Sequence, residues 1–217
     1  YTGTETRDGV YSNQHLQPYH GYSIFRYFEN LKPDGNAGGW VDTGGLRTLD
    51  RYAEQLWLTL FAKAPEITLF DIRQLYQPVR QEDGTTVPES EYARLAGYVF
   101  RQVDSFAGSL GKPIGVKTYK PYHSSGEEHL PSYLGMIGIP MDIVPAFPAE
   151  AQTVLLTEAA RHDPAIVQKI ARQLQDGKHV VITSGLLKAL QGTGLDDIVE
   201  LEYTGRTVAA RELLGRG

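Results

Sequence analysis

Leu46–Phe70, LRTLDRYAEQLWLTLFAKAPEITLF, is the stretch that decides the fold. Leu49, Tyr52, Ala53, Leu56, Leu60 and Phe61 recur at three- and four-residue spacing, which predicts a helix with one buried stripe. Ala64-Pro65 stops it, because proline lacks the backbone N–H and fixes φ. Ile67-Thr68-Leu69-Phe70 follows, a β-branched and aromatic run typical of a buried strand. Upstream, Gly38-Gly39-Trp40-Val41-Asp42 predicts another short strand, so the unit reads strand, helix, strand. Such a crossover joins parallel strands and lays helices on a sheet. Both strands run into an acid, Asp42 and Asp71, at the carboxyl ends where α/β sheets and barrels bind ligands.

Working outward, Thr2, Thr4 and Thr6 alternate through Tyr1–Arg7 and predict a first strand closed by Asp8-Gly9, with Glu5 and Arg7 near its carboxyl end. Tyr22, Ile24, Phe25, Tyr27, Phe28 and Leu31 predict a helix over His20–Leu31, stopped by Lys32-Pro33-Asp34-Gly35. Beyond the central unit, Gln77–Pro88 is polar around Asp83-Gly84 and reads as a long surface loop. A helix over Ser90–Leu110 follows, capped by Ser90, with Tyr92, Leu95, Ala96, Val99, Phe100, Val103 and Phe106 inward. Composition shifts at Gly111-Lys112-Pro113, which divides 1–111 from 112–217. The second part reads as strands at Ile114–Thr118, Met141–Pro145, Thr153–Thr157, His179–Thr183 (buried) and Val199–Tyr203. Between them lie helices at His129–Ile137, from Asp163-Pro164 to Gly177, and at Leu186–Leu190. Alternation of strands and helices makes both parts α/β.

The totals exclude several functions. In 217 residues, 41% hydrophobic and 22% charged, there is material for a core in one large or two small domains. The net charge of −5 comes without a basic cluster, so no nucleic-acid partner is expected. No apolar run approaches the roughly 18 residues of a membrane helix, and no membrane partner is expected. The absence of cysteine removes disulfides, thiolate ligands and a thiol nucleophile, and leaves the compartment open. Because the chain opens at Tyr1, without an initiator Met, it is expected to start inside a longer protein or to be a mature or trimmed form.

Two stretches carry a resemblance. Glu5-Thr6-Arg7-Asp8, GGWVD and DRYAEQLWLTLFAKAPEITLFDI resemble the closing strands and helices of the (β/α)8 catalytic barrel of bacterial glycoside hydrolases. GMIGIPMDIVPAFP and TVLLTEAARHDPAIVQKIARQLQDGKHVVITSGLL resemble the amidotransferase-like, trimerisation-type domain that follows the barrel in β-galactosidase-like enzymes. The fold this implies is a partial (β/α) barrel over 1–111, followed by a flavodoxin-like, class I amidotransferase-like parallel-sheet domain over 112–217. The activity it implies is hydrolysis of the glycosidic bond of a β-linked sugar or oligosaccharide. A whole barrel takes roughly 250 residues, so 1–111 would supply about the last three units. Alone the chain is then expected to be inactive, and to self-associate, pack its two parts together, or pack with the missing barrel portion.

Glycoside hydrolysis commonly uses two carboxyl groups roughly 5–9.5 Å apart. Glu5 and Asp42 are the candidate pair. Arg7 is the candidate for orienting an acid or lowering its pKa, Trp40 for stacking on a sugar's C–H face, and Asp71 and His15 for further substrate contacts; His20 and Tyr19 fall in the same expected loop. The plain alternative is that the acids cap turns or pair with Arg7, Arg47 or Arg73, and that Trp40 packs in the core. Glu54, Glu66 and Trp57 read as structural. His123, His129, Glu127 and Glu128 match no metal-ligand spacing, and no metal or cofactor is expected. The turn Ile182–Leu186 joins strand to helix like a nucleophile elbow but lacks Gly-x-Ser-x-Gly, and without cysteine an amidotransferase reaction is not expected; its N–H groups could hold an anion. Two competing readings are a non-catalytic α/β module that binds carbohydrate or a partner subunit, and a flavodoxin-like regulator, which would lack the Gly-rich phosphate loop.

Overall fold

The computed structural model describes residues 1–4, 6, 16–46, 48–70, 72–76, 78–80, 83–88 and 90–207, with backbone alone for Gln74, Val79, Val87 and Ser90. Three short parallel strands, β1 (Thr2–Gly3), β2 (Gly39–Asp42) and β3 (Ile67–Phe70), lie side by side in chain order. Gly3 pairs with Trp40 and Asp42 with Phe70. The connections are α1 (Tyr19–Leu31) and α2 (Leu49–Phe61). Helix α2 starts where Thr48 Oγ1 accepts the Arg51 N–H at 3.3 Å, an N-cap. It ends before Lys63, which takes a left-handed φ of 69°.

Strand alternation divides the faces of this sheet. Val41, Ile67 and Leu69 turn toward α2 and α4 (Ser90–Asp104), where Leu46, Tyr52, Leu56, Tyr92, Ala96, Val99 and Val103 complete an apolar core. Burying side chains of this size stabilises by roughly 1.5–3 kcal/mol each. On the other face Thr68 and Phe70 are exposed and Trp40 is half-buried. At β1 and α1 the approach is close: a Cβ on Gly21 would collide with the Thr4 carbonyl, and one on Gly39 would come within 2.5 Å of Thr59 Cγ2.

The second sheet is β6 (Val116–Tyr119), β7 (Met141–Val144), β8 (Thr153–Leu156) and β9 (His179–Ile182), all parallel in the order β7-β6-β8-β9. The order reverses direction between β6 and β8. Helices α5 (Leu130–Met136), α6 (Ile166–Gln175) and α7 (Ser184–Ala189) belong to this part. Its core gathers Tyr119, Val154, Leu156, Ile166, Ile170, Leu186 and Leu195. The parallel α/β expectation holds for both sheets.

The two parts are packed together, and α1 joins them. One side of α1 lies on α2, with Tyr22 and Phe25 against Ala62 and Ala64. The other lies on β7 and α5. Asn30 Nδ2 donates to Asp142 Oδ1 (2.7 Å) and to Ile143 O (2.9 Å), and the Met141 N–H donates to the Tyr19 hydroxyl (3.0 Å). Asp142, 2% exposed, also meets Lys117 Nζ at 2.5 Å and Arg26 Nε at 3.8 Å.

Several local expectations are corrected. The expected loop Gln77–Pro88 contains a small antiparallel hairpin, β4 (Val79–Arg80) with β5 (Thr86–Val87), after the short α3 (Ile72–Leu75). Its turn is held by Asp83 Oδ1, which accepts from Thr85 N (2.8 Å) and Thr85 Oγ1 (2.6 Å). Helix α4 stops at Asp104 and gives way to a 3-10 turn over Ala107–Ser109. Phe61 is 41% exposed, outside the buried stripe, and stacks on Trp57 with ring centroids 5.5 Å apart; the buried positions of α2 include two polar ones, Gln55 and Thr59. Strand β9 is an edge strand with Val181 half exposed, because only β8 flanks it. Val199–Tyr203 forms no strand: the N–H groups of Ile198 and Val199 turn back onto Leu195 O, and Leu201 is exposed.

Candidate functional site

Parallel pairing brings the carboxyl ends of β1, β2 and β3 to one edge of the first sheet. Asp42 ends β2 there. It is 2% exposed, and its Oδ1 accepts the Gly44 N–H at 2.8 Å, holding the turn that leads to α2. Beneath it are Tyr52 and Tyr92, both fully buried, edge to face at 5.1 Å. Burial raises the pKa of both hydroxyls, and for Tyr52 the neighbouring Tyr92 and Asp42 raise it further. Among the described residues neither hydroxyl has a hydrogen-bond partner. Trp40 stands on the open face, its ring 5.4 Å from that of Phe70 in an edge-on pair. Phe70 is 46% exposed, so this aromatic pair is accessible from solvent.

Of the other expected site residues, Glu5, Arg7, His15 and Asp71 lie outside the described residues. Their flanks are described. Thr4 donates its N–H to Trp40 O (3.1 Å), Thr6 is fully buried, and Phe70, which precedes Asp71, pairs with Asp42. Tyr19 and His20 are not in a rim loop. They open α1 and are committed to the junction between the two parts: His20 faces His129 with ring centroids 5.6 Å apart and its Nδ1 lies 3.4 Å from Ser132 Oγ. Burial, and then His129, lower the pKa of His20. Glu54 pairs with Arg51 at 3.3 Å, in keeping with a structural role.

The acids and histidines of the 120–129 loop diverge. Glu128 Oε1 accepts the Gly126 N–H (2.8 Å), which holds its carboxyl below the usual range although partial burial opposes this. His129 meets His20, and His123 stacks beside Tyr122. Glu127 goes elsewhere. Its Oε2 accepts from Thr183 Oγ1 (2.6 Å) and from the Glu158 N–H (2.8 Å), and its carboxylate lies over Gly185. This crosses the end of β6, β8 and β9, beside the reversal of strand order where open α/β sheets take their ligands. Glu127 does so with φ at +54°, a conformation costly for a residue other than glycine. Sequence reasoning weighed Glu127 only as a metal ligand, and its spacing gave no sign of this contact; the signal for it was its place in the loop after the first strand of the second part.

Comparison with known proteins bears on both parts. Residues 1–109 match a family model described as "Probable glycosyl hydrolase, catalytic domain". Residues 111–212 match one described as the second domain of uncharacterized protein SSO3021. Uncharacterized protein SSO3021 of Saccharolobus solfataricus is 24% identical over 201 residues, covering 88% of this chain and 31% of its own length. The chain therefore spans about a third of that relative. No solved structure matches.

Proposed function

The chain belongs to the family of probable glycosyl hydrolase catalytic domains, and from that premise we propose that it contributes to cleaving the glycosidic bond of a β-linked sugar or oligosaccharide. On this reading residues 1–111 are closing strand–helix units of a barrel of the β-galactosidase-like kind, and residues 112–217 are the amidotransferase-like, flavodoxin-like domain behind it. The observation that carries it is the parallel sheet β1-β2-β3 in chain order, with helices packed on the side of Val41 and Leu69 and the side of Thr68 and Phe70 open. A barrel's strands have that arrangement, their second face being the barrel interior. The order β7-β6-β8-β9 supports a flavodoxin-like second part. Alone the chain would be inactive, its open face and strand edges taken up by the remaining barrel units or by another copy.

Glu5 and Asp42 are proposed as the carboxyl pair, one protonating the leaving oxygen and the other acting as nucleophile or base. β1 runs parallel to β2 with Gly3 beside Trp40, so Asp42 stands at the same edge of the sheet as the carboxyl end of β1. Trp40 would offer a ring to the sugar, Arg7 would orient an acid, and Asp71 and His15 would contact substrate. The test is a screen of aryl glycosides with the native-length polypeptide, then with Glu5→Gln and Asp42→Asn. Loss of turnover by at least about a hundredfold in both supports catalysis. Turnover that survives both substitutions removes these residues from the chemistry.

A second reading, a non-catalytic module that binds carbohydrate or a partner subunit, is favoured by one observation. Asp42 is buried and holds its own turn, as a structural acid does. Saccharide binding by the wild-type chain without turnover by the native-length protein would select that reading.

A further inference from the structure

The buried face of α2 carries two polar residues one turn apart, Gln55 (1% exposed) and Thr59 (fully buried), among Tyr52 and Leu56. Both point at the chain leaving β1. Among the described residues the parallel ladder of β1 with β2 ends at Gly3 and Trp40, followed by the bond from Thr4 N–H to Trp40 O. Beyond that rung Gln55 takes over. The Thr6 N–H donates to Gln55 Oε1 (3.2 Å), and Gln55 Nε2 donates to Thr6 O (2.9 Å). One side-chain amide thus gives Thr6 the donor and the acceptor that a neighbouring strand would give it. Thr59 Oγ1 lies 2.7 Å from Thr4 Oγ1 and 2.8 Å from Gln55 O, tying Thr4, two residues earlier, to the same helix. A leucine would fill this place in an apolar stripe without the cost of burying an amide. The polar pair makes sense as a clamp on the backbone of β1.

We infer that Gln55 is a positioning residue for the carboxyl end of β1, fixing the backbone of Thr6 next in sequence to Glu5. This rests on the reading of Glu5 as a cleft acid. The reasoning is geometric: catalytic groups must be held within about 0.5 Å, by neighbours whose own contacts are complete, and a misplacement of about 1 Å reduces rate by about a hundredfold. Thr4 and Thr6, the neighbours of Glu5 in sequence, are both held to α2.

The experiment compares wild type, Gln55→Leu, Gln55→Glu and Glu5→Gln. Turnover of aryl glycosides is measured in the native-length polypeptide, and amide exchange at Thr6 in this chain. Gln55→Leu is expected to lower kcat by about a hundredfold with KM within about twofold, and to speed exchange at Thr6 while Val154 in the second sheet stays protected. Gln55→Glu serves as the variant that keeps the shape. Ionised, it lacks the donor to Thr6 O; protonated, it regains it, so its kcat relative to wild type should recover as pH falls. A kcat within about threefold of wild type in Gln55→Leu, with Glu5→Gln inactive, overturns the inference and leaves the cleft reading standing, as does a relative kcat for Gln55→Glu that is flat with pH. Wild-type turnover in Glu5→Gln, or none in the wild-type protein, overturns the cleft reading and the positioning role with it.

Discussion

Replacing Asp142 by Ala tests how the two parts are joined. The carboxylate is 3% exposed at the side chain and is met by Lys117 Nζ at 2.5 Å, Asn30 Nδ2 at 2.7 Å and Arg26 Nε at 3.8 Å. Its three neighbours would fare differently without it. Lys117 is about a third exposed and can turn its ammonium to water, and Asn30 keeps Ile143 O as an acceptor. Arg26, a tenth exposed, is largely shielded from solvent. It keeps Ala62 O and Asn30 Oδ1, but among the described residues its Nε has no hydrogen-bond partner, and its charge would lose the nearby carboxylate. Breaking a buried ion pair from one side costs about 3–5 kcal/mol. With two of three neighbours able to re-pair, a loss of about 3 kcal/mol is expected, at the low end of that range. For a chain of this length that lowers Tm by roughly 6–12 °C. Urea unfolding followed by tryptophan fluorescence and by far-ultraviolet circular dichroism gives the free energy. The same substitution made in an Arg26→Met background should cost at least about 1 kcal/mol less. A loss under about 1 kcal/mol, or equal losses in both backgrounds, refutes the argument that Asp142 neutralises Arg26.

Three further outcomes are expected. Burial works against the charge on Asp163, but Lys169 Nζ, the Ala165 N–H and the Tyr119 hydroxyl outweigh it and hold its carboxyl below the usual range. A depressed folded pKa contributes stability that is full above the unfolded value of about 3.9 and is lost as pH falls through the folded one; Asp163→Asn should therefore flatten the acid limb of stability below about pH 5, and a slope equal to wild type would contradict this. At Glu127 the positive φ and the carboxylate bonds oppose each other, so Glu127→Ala should destabilise more than Glu127→Gly by about 1 kcal/mol, with chemical denaturation as the measure and the reverse ranking as the refutation. Tyr52→Phe and Tyr92→Phe each remove a buried hydroxyl without a partner among the described residues and should be neutral or stabilising by up to about 1 kcal/mol; a loss above 1 kcal/mol in either melt would reveal a partner for that hydroxyl.

What was legible in the sequence is what local pattern controls. The stripe through Tyr52 and Leu56 and the run Ile67–Phe70 gave α2 and β3, and the Asp-Pro and Gly signals placed α6 within a few residues. Where partners far along the chain decide, the pattern was silent. Thr2, Thr4 and Thr6 read as strand alternation, yet at Thr6 the backbone is held by the Gln55 side chain of α2, which no local rule predicts. Tyr19, expected in a loop, and Arg26 and Asn30, polar positions outside the apolar pattern of α1, meet β7 instead. Val181 carried the signature of a buried strand, but its exposure was fixed by β9 lying at the sheet's edge. At the rim, the spacing of Asp42 and Asp71 indicated which end of the sheet to examine, while the turn that Asp42 holds depends on geometry that the letters do not carry.

The bond between Asn30 and Asp142 spans 112 positions. A ribosome adding about 5–20 residues per second takes roughly 6–22 s to make that interval. Throughout it, the nascent N-terminal half exposes the flank of α1 that will later meet β7, and contacts this distant are slow to close. Translation that pauses in this interval lengthens the exposure, so the yield of native protein should depend on synthesis speed there more than on speed after Val144 has emerged.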